Sequence, residues 1–344
     1  MGIAIFFVAF LIRPISLRAE MKQNLFDKSN LVAWCIVPFD TKKRGPEERA
    51  AMLEKLGIKK LAYDWRAEHI PTFDAEVAAM KKHGVEMTAW WCPGTLNDTA
   101  RTILDCIKRN DIHPQLWVTM EGGPHLRLEQ AFEATPEAQA AHVRRIANAV
   151  KPLAAEAEKL GCKVALYNHG GWFGVPENQI EVVELLKSEG VENVGMVYTQ
   201  HHGHGEIARF EQLFPKMQPH LLAVTLNGMI QDGDLQGHNR GTIPIGQGDQ
   251  DLRLLGIIKN SGWKGPVGII VEVMTDAEVR LRDNLEGLAW IDAQLDGQTA
   301  GPRPVPKSWK DPETEPKSTE KSKPEFAPAE SAAFGKALDG GIVV

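Results

Sequence analysis

Cysteine is scarce in this chain and falls into no metal or redox pattern. Cys35, Cys92, Cys106 and Cys162 form no CxxC and no zinc-finger spacing, so no disulfide scaffold is implied. Cys35 and Cys92 both sit near predicted strand ends, either as neighbours or simply as small buried hydrophobes. Positive charge is also in deficit: the formal net charge is −6. Proteins that grip nucleic acid usually carry a basic face, so that class is disfavoured. Uninterrupted apolar runs long enough to cross a bilayer are missing, and no internal repeat is evident. What remains, 344 residues that are 43% hydrophobic and 24% charged, suits one globular domain of about 250 to 280 residues plus extensions.

The extensions lie at the two ends. Ile3 to Ile12 is an apolar run of signal h-region length, followed by the passable cleavage site Ser16-Leu-Arg-Ala19-Glu20, although no Lys or Arg precedes it. Residues 1–19 therefore read as a signal-like segment, with export to the periplasm or beyond expected. Uncleaved, the segment would act as a membrane anchor. Residues 301–330 are rich in Pro, Lys, Glu, Ser and Thr. Such a segment buries too little apolar surface to fold alone and reads as a disordered linker. Residues 331–344 turn apolar again. Their Phe334-Gly-Lys-Ala-Leu338 resembles the opening strand of a laminin G or concanavalin-like jelly roll, which implies a longer chain with a glycan-binding domain.

Between residues 30 and 298, strand-length apolar runs alternate with amphipathic helical patterns. The predicted strands are Leu31–Pro38, Lys60–Trp65, Glu86–Cys92, Gln115–Met120, Lys163–Asn168, Asn193–Thr199, Leu221–Leu226 and Val267–Val273. Their near-continuous hydrophobicity fits parallel strands covered on both faces. Among the helices, Pro46–Leu56 should turn Glu47, Glu48 and Arg49 outward and Ala51, Met52 and Leu56 inward. Thr72 should cap the next, Pro136–Leu160 forms a long one, and Asp276–Gln294 the last. This alternation predicts an α/β fold, a (β/α)8 TIM barrel, with a doubly wound open sheet as the other solution.

In such a barrel, polar residues at the C-terminal strand ends line the site. Here those ends carry Asp64-Trp65-Arg66, Trp90-Trp91, Glu121, Tyr167-Asn168-His169-Gly-Gly-Trp172, Gln200-His201-His202-Gly203-His204, Asn227 and Glu272. Imidazoles suit divalent transition metals. Strand alternation would bring His202 and His204 together and turn His201 aside; the competing reading has these rings bonded to carbonyls. His169 is a further ligand candidate, or a satisfied buried histidine, with the adjoining glycine pair leaving room for a ligand. Glu121 and Glu272 are carboxylates in apolar surroundings, which need a partner, a metal or a raised pKa. Asp64 and Arg66 form either a structural ion pair or a hydroxyl-binding pair. Trp91 and Trp172 offer flat faces to a sugar ring, as do Trp34 and Trp90, although Trp34 serves better as core.

The stretch Pro244-Ile-Gly-Gln-Gly-Asp-Gln-Asp251, the helix from Leu252 to Lys259, and Ser261-Gly-Trp-Lys-Gly-Pro-Val-Gly-Ile-Ile270 carry a resemblance. Gly-x-Gly-x-x-Asp, a helix, then Gly-aromatic-x-Gly before a buried strand is similar to the last unit of the xylose isomerase-like barrels, in their sugar phosphate isomerase/epimerase branch. It is not a dinucleotide loop: an irregular loop precedes it and no acid follows at the ribose-binding distance. The resemblance implies a divalent metal (manganese, zinc, cobalt or magnesium) held by Glu, Asp, His and Glu after strands five to eight. Those positions here hold Asn168-His169, Thr199-Gln-His-His202, Asn227 and Glu272, so the set is remodelled or lost. The metal candidates are thus His169, His202, Glu121 and Glu272, and the acid/base candidates Glu121, Glu272 and His204. Arg66 would bind an oxyanion, while Asp64, Trp91, Asn168, Trp172 and Asn227 would contact substrate. The implied activity is isomerisation, epimerisation or elimination on a small carbohydrate by proton abstraction next to a carbonyl. The alternative is a carbohydrate-binding barrel without catalysis.

Overall fold

A closed barrel of eight parallel strands forms the protein, in the order in which they occur along the chain. The structure is a computed structural model describing residues 24–310, except 124, 125, 127 and 234–240. The signal-like segment, the linker beyond residue 310 and the jelly-roll-like tail lie outside the described residues. The strands are β1 (Leu31–Trp34), β2 (Lys60–Tyr63), β3 (Glu86–Pro93), β4 (Gln115–Thr119), β5 (Lys163–Tyr167), β6 (Val194–Thr199), β7 (Leu221–Leu226) and β8 (Val267–Ile270). The main helices are α1 (Pro46–Leu56), α2 (Phe73–Lys82), α3 (Asp98–Asn110), α4 (Pro136–Lys159), α5 (Pro176–Ser188), α6 (Phe210–Met217), α7 (Asp251–Asn260) and α8 (Ala277–Leu295). The barrel closes where β1 pairs with β8, from Leu31 opposite Val267 to Trp34 opposite Ile270. Among the described residues no helix is long and apolar enough to cross a membrane.

Burial explains why the strands read as unbroken apolar runs. Every residue of β1, β6 and β8 is buried, because side chains point alternately into the barrel and under the helices. The interior is aromatic. Trp34 stands 5.9 Å from Trp91, 4.9 Å from Trp117 and 5.9 Å from Tyr167, ring centre to ring centre. Edge-to-face contacts of this kind add to the burial of large apolar area.

Three strands end two or more residues earlier than their hydrophobicity predicts. β1 stops at Trp34, β2 at Tyr63 and β8 at Ile270. After β1 and β8 the cause is visible, since Cys35 and Glu272 leave extended geometry at φ 55° and 37°.

The helix α1 corrects one expectation. Arg49 is buried and pairs with buried Glu76 of α2 at 2.5 Å, whereas Ala51 faces solvent. Burying a guanidinium requires such a partner, which periodicity cannot reveal. Thr72 gives no side-chain cap to α2; its hydroxyl donates to the His69 carbonyl. All four cysteines are free and buried, and Cys35 lies against Glu272.

The first ten residues of the expected linker, 301–310, are strapped to the domain. Asp283 of α8 accepts the backbone N–H groups of Lys307 and Ser308. Arg303 donates to the Gly246 carbonyl, and Gln247 donates to that of Pro304.

Candidate active site

The C-terminal mouth of the barrel has an aromatic floor and a rim of imidazoles and carboxylates. Trp34, Trp91 and Tyr167 form the floor, with the Trp34 indole N–H donating to the Tyr167 hydroxyl at 3.3 Å. Above it the His169 ring lies 4.7 Å from that of His202, which lies 4.3 Å from His201 and 5.5 Å from Tyr167. His201, His202 and Glu272 each present a ligand atom within 4.8 Å of the others. His201 Nε2 is 3.3 Å from Glu272 Oε1. That matches the ligand-to-ligand edge of about 3.3 Å in a tetrahedral site with bonds of roughly 2.0 Å. Two imidazoles and a carboxylate also suit a divalent transition metal chemically.

The electrostatics keep this carboxylate charged. Burial alone would raise the Glu272 pKa, but His201, His169 and Arg66 outweigh it and hold the group below its usual value. Burial lowers His169, which favours its neutral, basic form. Burial also raises the Cys35 thiol well above its usual value, helped by Glu272 and Asp64. Asp64 faces inward between the outward-packed Tyr63 and Trp65. Its Oδ1 accepts the Val37 N–H at 3.2 Å, while its buried Oδ2 has no hydrogen-bond partner. Burial pushes this carboxyl up to about 6. Arg66 does not clasp the Asp64 carboxylate; its Nη1 donates to the main-chain carbonyls of Asp64 and Trp65.

The structure reverses the expected pairing of the histidines. His201 joins His202 and Glu272, and His204 turns away. Its Nε2 is 2.8 Å from the Gly241 carbonyl and its Nδ1 3.2 Å from that of Ile230. Strand alternation failed because β6 ends at Thr199 and Gln200–His202 is a 3-10 turn. Adjacent residues of such a turn present neighbouring side chains rather than opposite ones.

Glu121 is not brought to the cluster. Arg145 Nη2 lies 2.5 Å from its carboxylate and 2.6 Å from His142 Nε2. The same His142 Nε2 lies 3.1 Å from Glu121 Oε2, and its Nδ1 lies 2.6 Å from Glu133. Trp172 stacks on His142 at 3.8 Å and donates to Gln139, on the α4 side of the mouth.

Asn168 spends its amide on Thr199, donating to the carbonyl and accepting the N–H, which extends the β5–β6 ladder. Asn227 is buried and donates to the Gly228 and Gly241 carbonyls. Gly171, the second glycine of the pair after β5, faces backbone rather than open space. A Cβ on Gly171, at φ 60°, would sit 2.9 Å from the Gly122 carbonyl oxygen, where the loops after β4 and β5 meet. Sequence reasoning thus missed His201 and Cys35 as site residues. His201 carried a signal in the His-rich run, but Cys35 carried none, because only β1–β8 pairing places it beside Glu272.

Comparison with known proteins bears on this arrangement. A family model described as xylose isomerase-like TIM barrel matches residues 52–294. No curated protein sequence matches this one. The fold is similar to that of the 3-keto-D-glucoside 4-epimerase YcjR from E. coli, at TM-score 0.55 and 14% identity over 76% of this chain and 98% of that one. It is also similar to the IOLI protein with a binding zinc atom, at TM-score 0.54 and 14% identity over 77% and 99%. A D-tagatose 3-epimerase-like protein matches at TM-score 0.52 and 16% identity over 77% and 98%.

Proposed function

The chain belongs to the xylose isomerase-like TIM barrel family, and on that premise we propose that it is a metal-dependent sugar isomerase, epimerase or related lyase. The reaction moves a proton next to the carbonyl of a sugar or keto-sugar. The observation that carries this reading is the convergence of His201, His202 and Glu272 over the aromatic floor. The epimerases among the similar folds support keto-sugars as the substrate class.

A divalent metal bound here would polarise the substrate carbonyl and offset enediolate charge. The chain's own residues do the rest. His201, His202 and the ionised Glu272 are the donor set. Trp34, Trp91 and Tyr167 cover the apolar face of a sugar and exclude water. Asp64 Oδ2 is placed to meet a substrate hydroxyl, and Arg66 supplies positive charge for an oxyanion. His169, favoured in its neutral form and adjacent to His202, is the base that takes the proton from carbon. Return of the proton to the opposite face gives epimerisation and its return to the next carbon isomerisation; loss of a leaving group gives elimination.

The test combines metal analysis with proton wash-out. Purified protein should carry about one divalent metal per chain, lost in His202→Ala and Glu272→Gln. In deuterated water, NMR of ketoses and 3-keto-glycosides should show exchange of the proton next to the carbonyl, slowed by roughly 100-fold or more in His169→Ala. Protein that takes up no manganese, zinc or cobalt would sink this reading and leave a carbohydrate-binding barrel without catalysis. The same proposal places the protein in the periplasm or outside the cell, supported by Ile3–Ile12 and the site at Ala19. A mature N-terminus determined upstream of Ala19 would count against signal cleavage.

A further inference from the structure

We propose that Cys35 is a fourth ligand of this centre and that its thiolate makes the site select a thiophilic divalent ion, zinc ahead of manganese or magnesium. The inference rests on the metal-site reading above and concerns which metal that site takes.

The backbone supplies the first argument. Among the described residues, five other than glycine have positive φ: Cys35, Lys43, Asp111, Asp232 and Glu272. Asp111 is a helix C-cap, and Lys43 and Asp232 lie in turns. Cys35 and Glu272 belong to no such feature. They leave β1 and β8 at the mouth, next to each other, with the Glu272 N–H 3.4 Å from the Cys35 carbonyl. Left-handed geometry is unfavourable for a side-chain-bearing residue and persists where surroundings impose it, commonly at functional sites. Here the two deviations bring a thiol and a carboxylate together.

The second argument is distance and chemistry. Cys35 Sγ lies 4.0 Å from Glu272 Oε2. A tetrahedral zinc with bonds of about 2.3 Å to sulfur and roughly 2.0 Å to oxygen sets these atoms about 3.5 Å apart. The sulfur stands outside the set of ligand atoms that lie within 4.8 Å of one another. Metal binding would therefore require the Cys35 side chain to turn toward His201 and His202. Two imidazoles, a carboxylate and a thiol form a mixed nitrogen, oxygen and sulfur set that favours zinc over the oxygen-seeking ions. The buried, partnerless Oδ2 of Asp64 is a further polar group at this end of the barrel awaiting a ligand. On binding, the Sγ–H bond is exchanged for an Sγ–metal bond and the proton leaves to solvent.

Cobalt(II) is the probe, because a thiolate ligand adds an intense near-ultraviolet charge-transfer band that imidazole and carboxylate do not. The cobalt-loaded wild-type protein should show that band. Cys35→Ser should keep about one cobalt per chain, lose the band, and reduce the preference for zinc over manganese by roughly tenfold or more. X-ray absorption of zinc-loaded wild type, which needs no variant, should show one sulfur neighbour. Cobalt bound without the band, with no sulfur at zinc, overturns the role of Cys35 and leaves the three-ligand site standing. A native protein that binds none of these metals overturns the metal reading itself, and this inference with it.

Discussion

Asp64 and Asp251 are both fully buried carboxylates pushed up to about 6 by burial, yet they serve opposite ends. Asp251 accepts the N–H groups of Met229, Gly246 and Gly248. It is the acid of the Gly-x-Gly-x-x-Asp signature, and it clasps the loop after β7 rather than touching substrate. Asp64 has one acceptor oxygen satisfied and one bare. Its folded pKa lies above the unfolded value near 3.8. From about pH 4 to 6 the folded state therefore holds a proton that the unfolded chain has released, and stability falls as pH rises through that window. Asp64→Asn should remove the Asp64 share of this slope, leaving that of Asp251, and stabilise the protein by up to about 3 kcal/mol at pH 8, with little change at pH 4. Urea unfolding at the two pH values checks it; a difference that does not vary with pH would refute the assignment. At this scale the residue types at the mouth were legible, but their partners were not. Glu121 looked like a buried acid, and only the folding of α4 brought Arg145 and His142 to it.

Among the elements, the approach of α8 to the loop before α7 is the tightest contact of functional consequence. A Cβ on Gly287 would fall 1.7 Å from the Ile245 carbonyl oxygen, and one on Gly246, at φ 87°, would lie 2.9 Å from Gly287 Cα. Asn284, one turn earlier, donates to the Ile270 carbonyl and accepts the Ile245 N–H, fixing the end of β8 just before Glu272. Helix propensity would favour Gly287→Ala by about 1 kcal/mol, but overlap with backbone costs about 3 kcal/mol. A net loss of roughly 2 kcal/mol should appear in thermal or urea unfolding, and a stabilised variant would contradict the packing described. The strand-helix alternation was legible because each strand is buried on both faces and each helix on one. Strand ends were not, since Cys35 and Glu272 depart from extended geometry through tertiary pairing that no local pattern encodes.

At the scale of the whole molecule, residues 301–310 tie the chain's exit to the barrel. They engage Asp283, Gly246 and Gln247 through several hydrogen bonds, each worth about 1 kcal/mol net. A chain ending at Gln298 should melt roughly 5 °C or more below one ending at Lys310; equal melting temperatures would show that the strap contributes nothing. Barrel closure also decides the site, because β1 and β8 lie at opposite ends of the domain sequence and meet only at the seam. By itself the sequence determined an alternating strand-helix fold, a barrel or a doubly wound sheet, and the crowding of imidazoles and carboxylates at one end. Those follow from hydrophobic periodicity and from where polar residues interrupt it. Closure into a barrel was decided by the pairing of β1 with β8. Which imidazoles converge, which carboxylate they meet and whether a thiol stands beside it were decided by the tertiary structure alone. They depend on a 3-10 turn after β6 and on the pairing of distant strands, and side-chain direction there is set by contacts far apart in the chain.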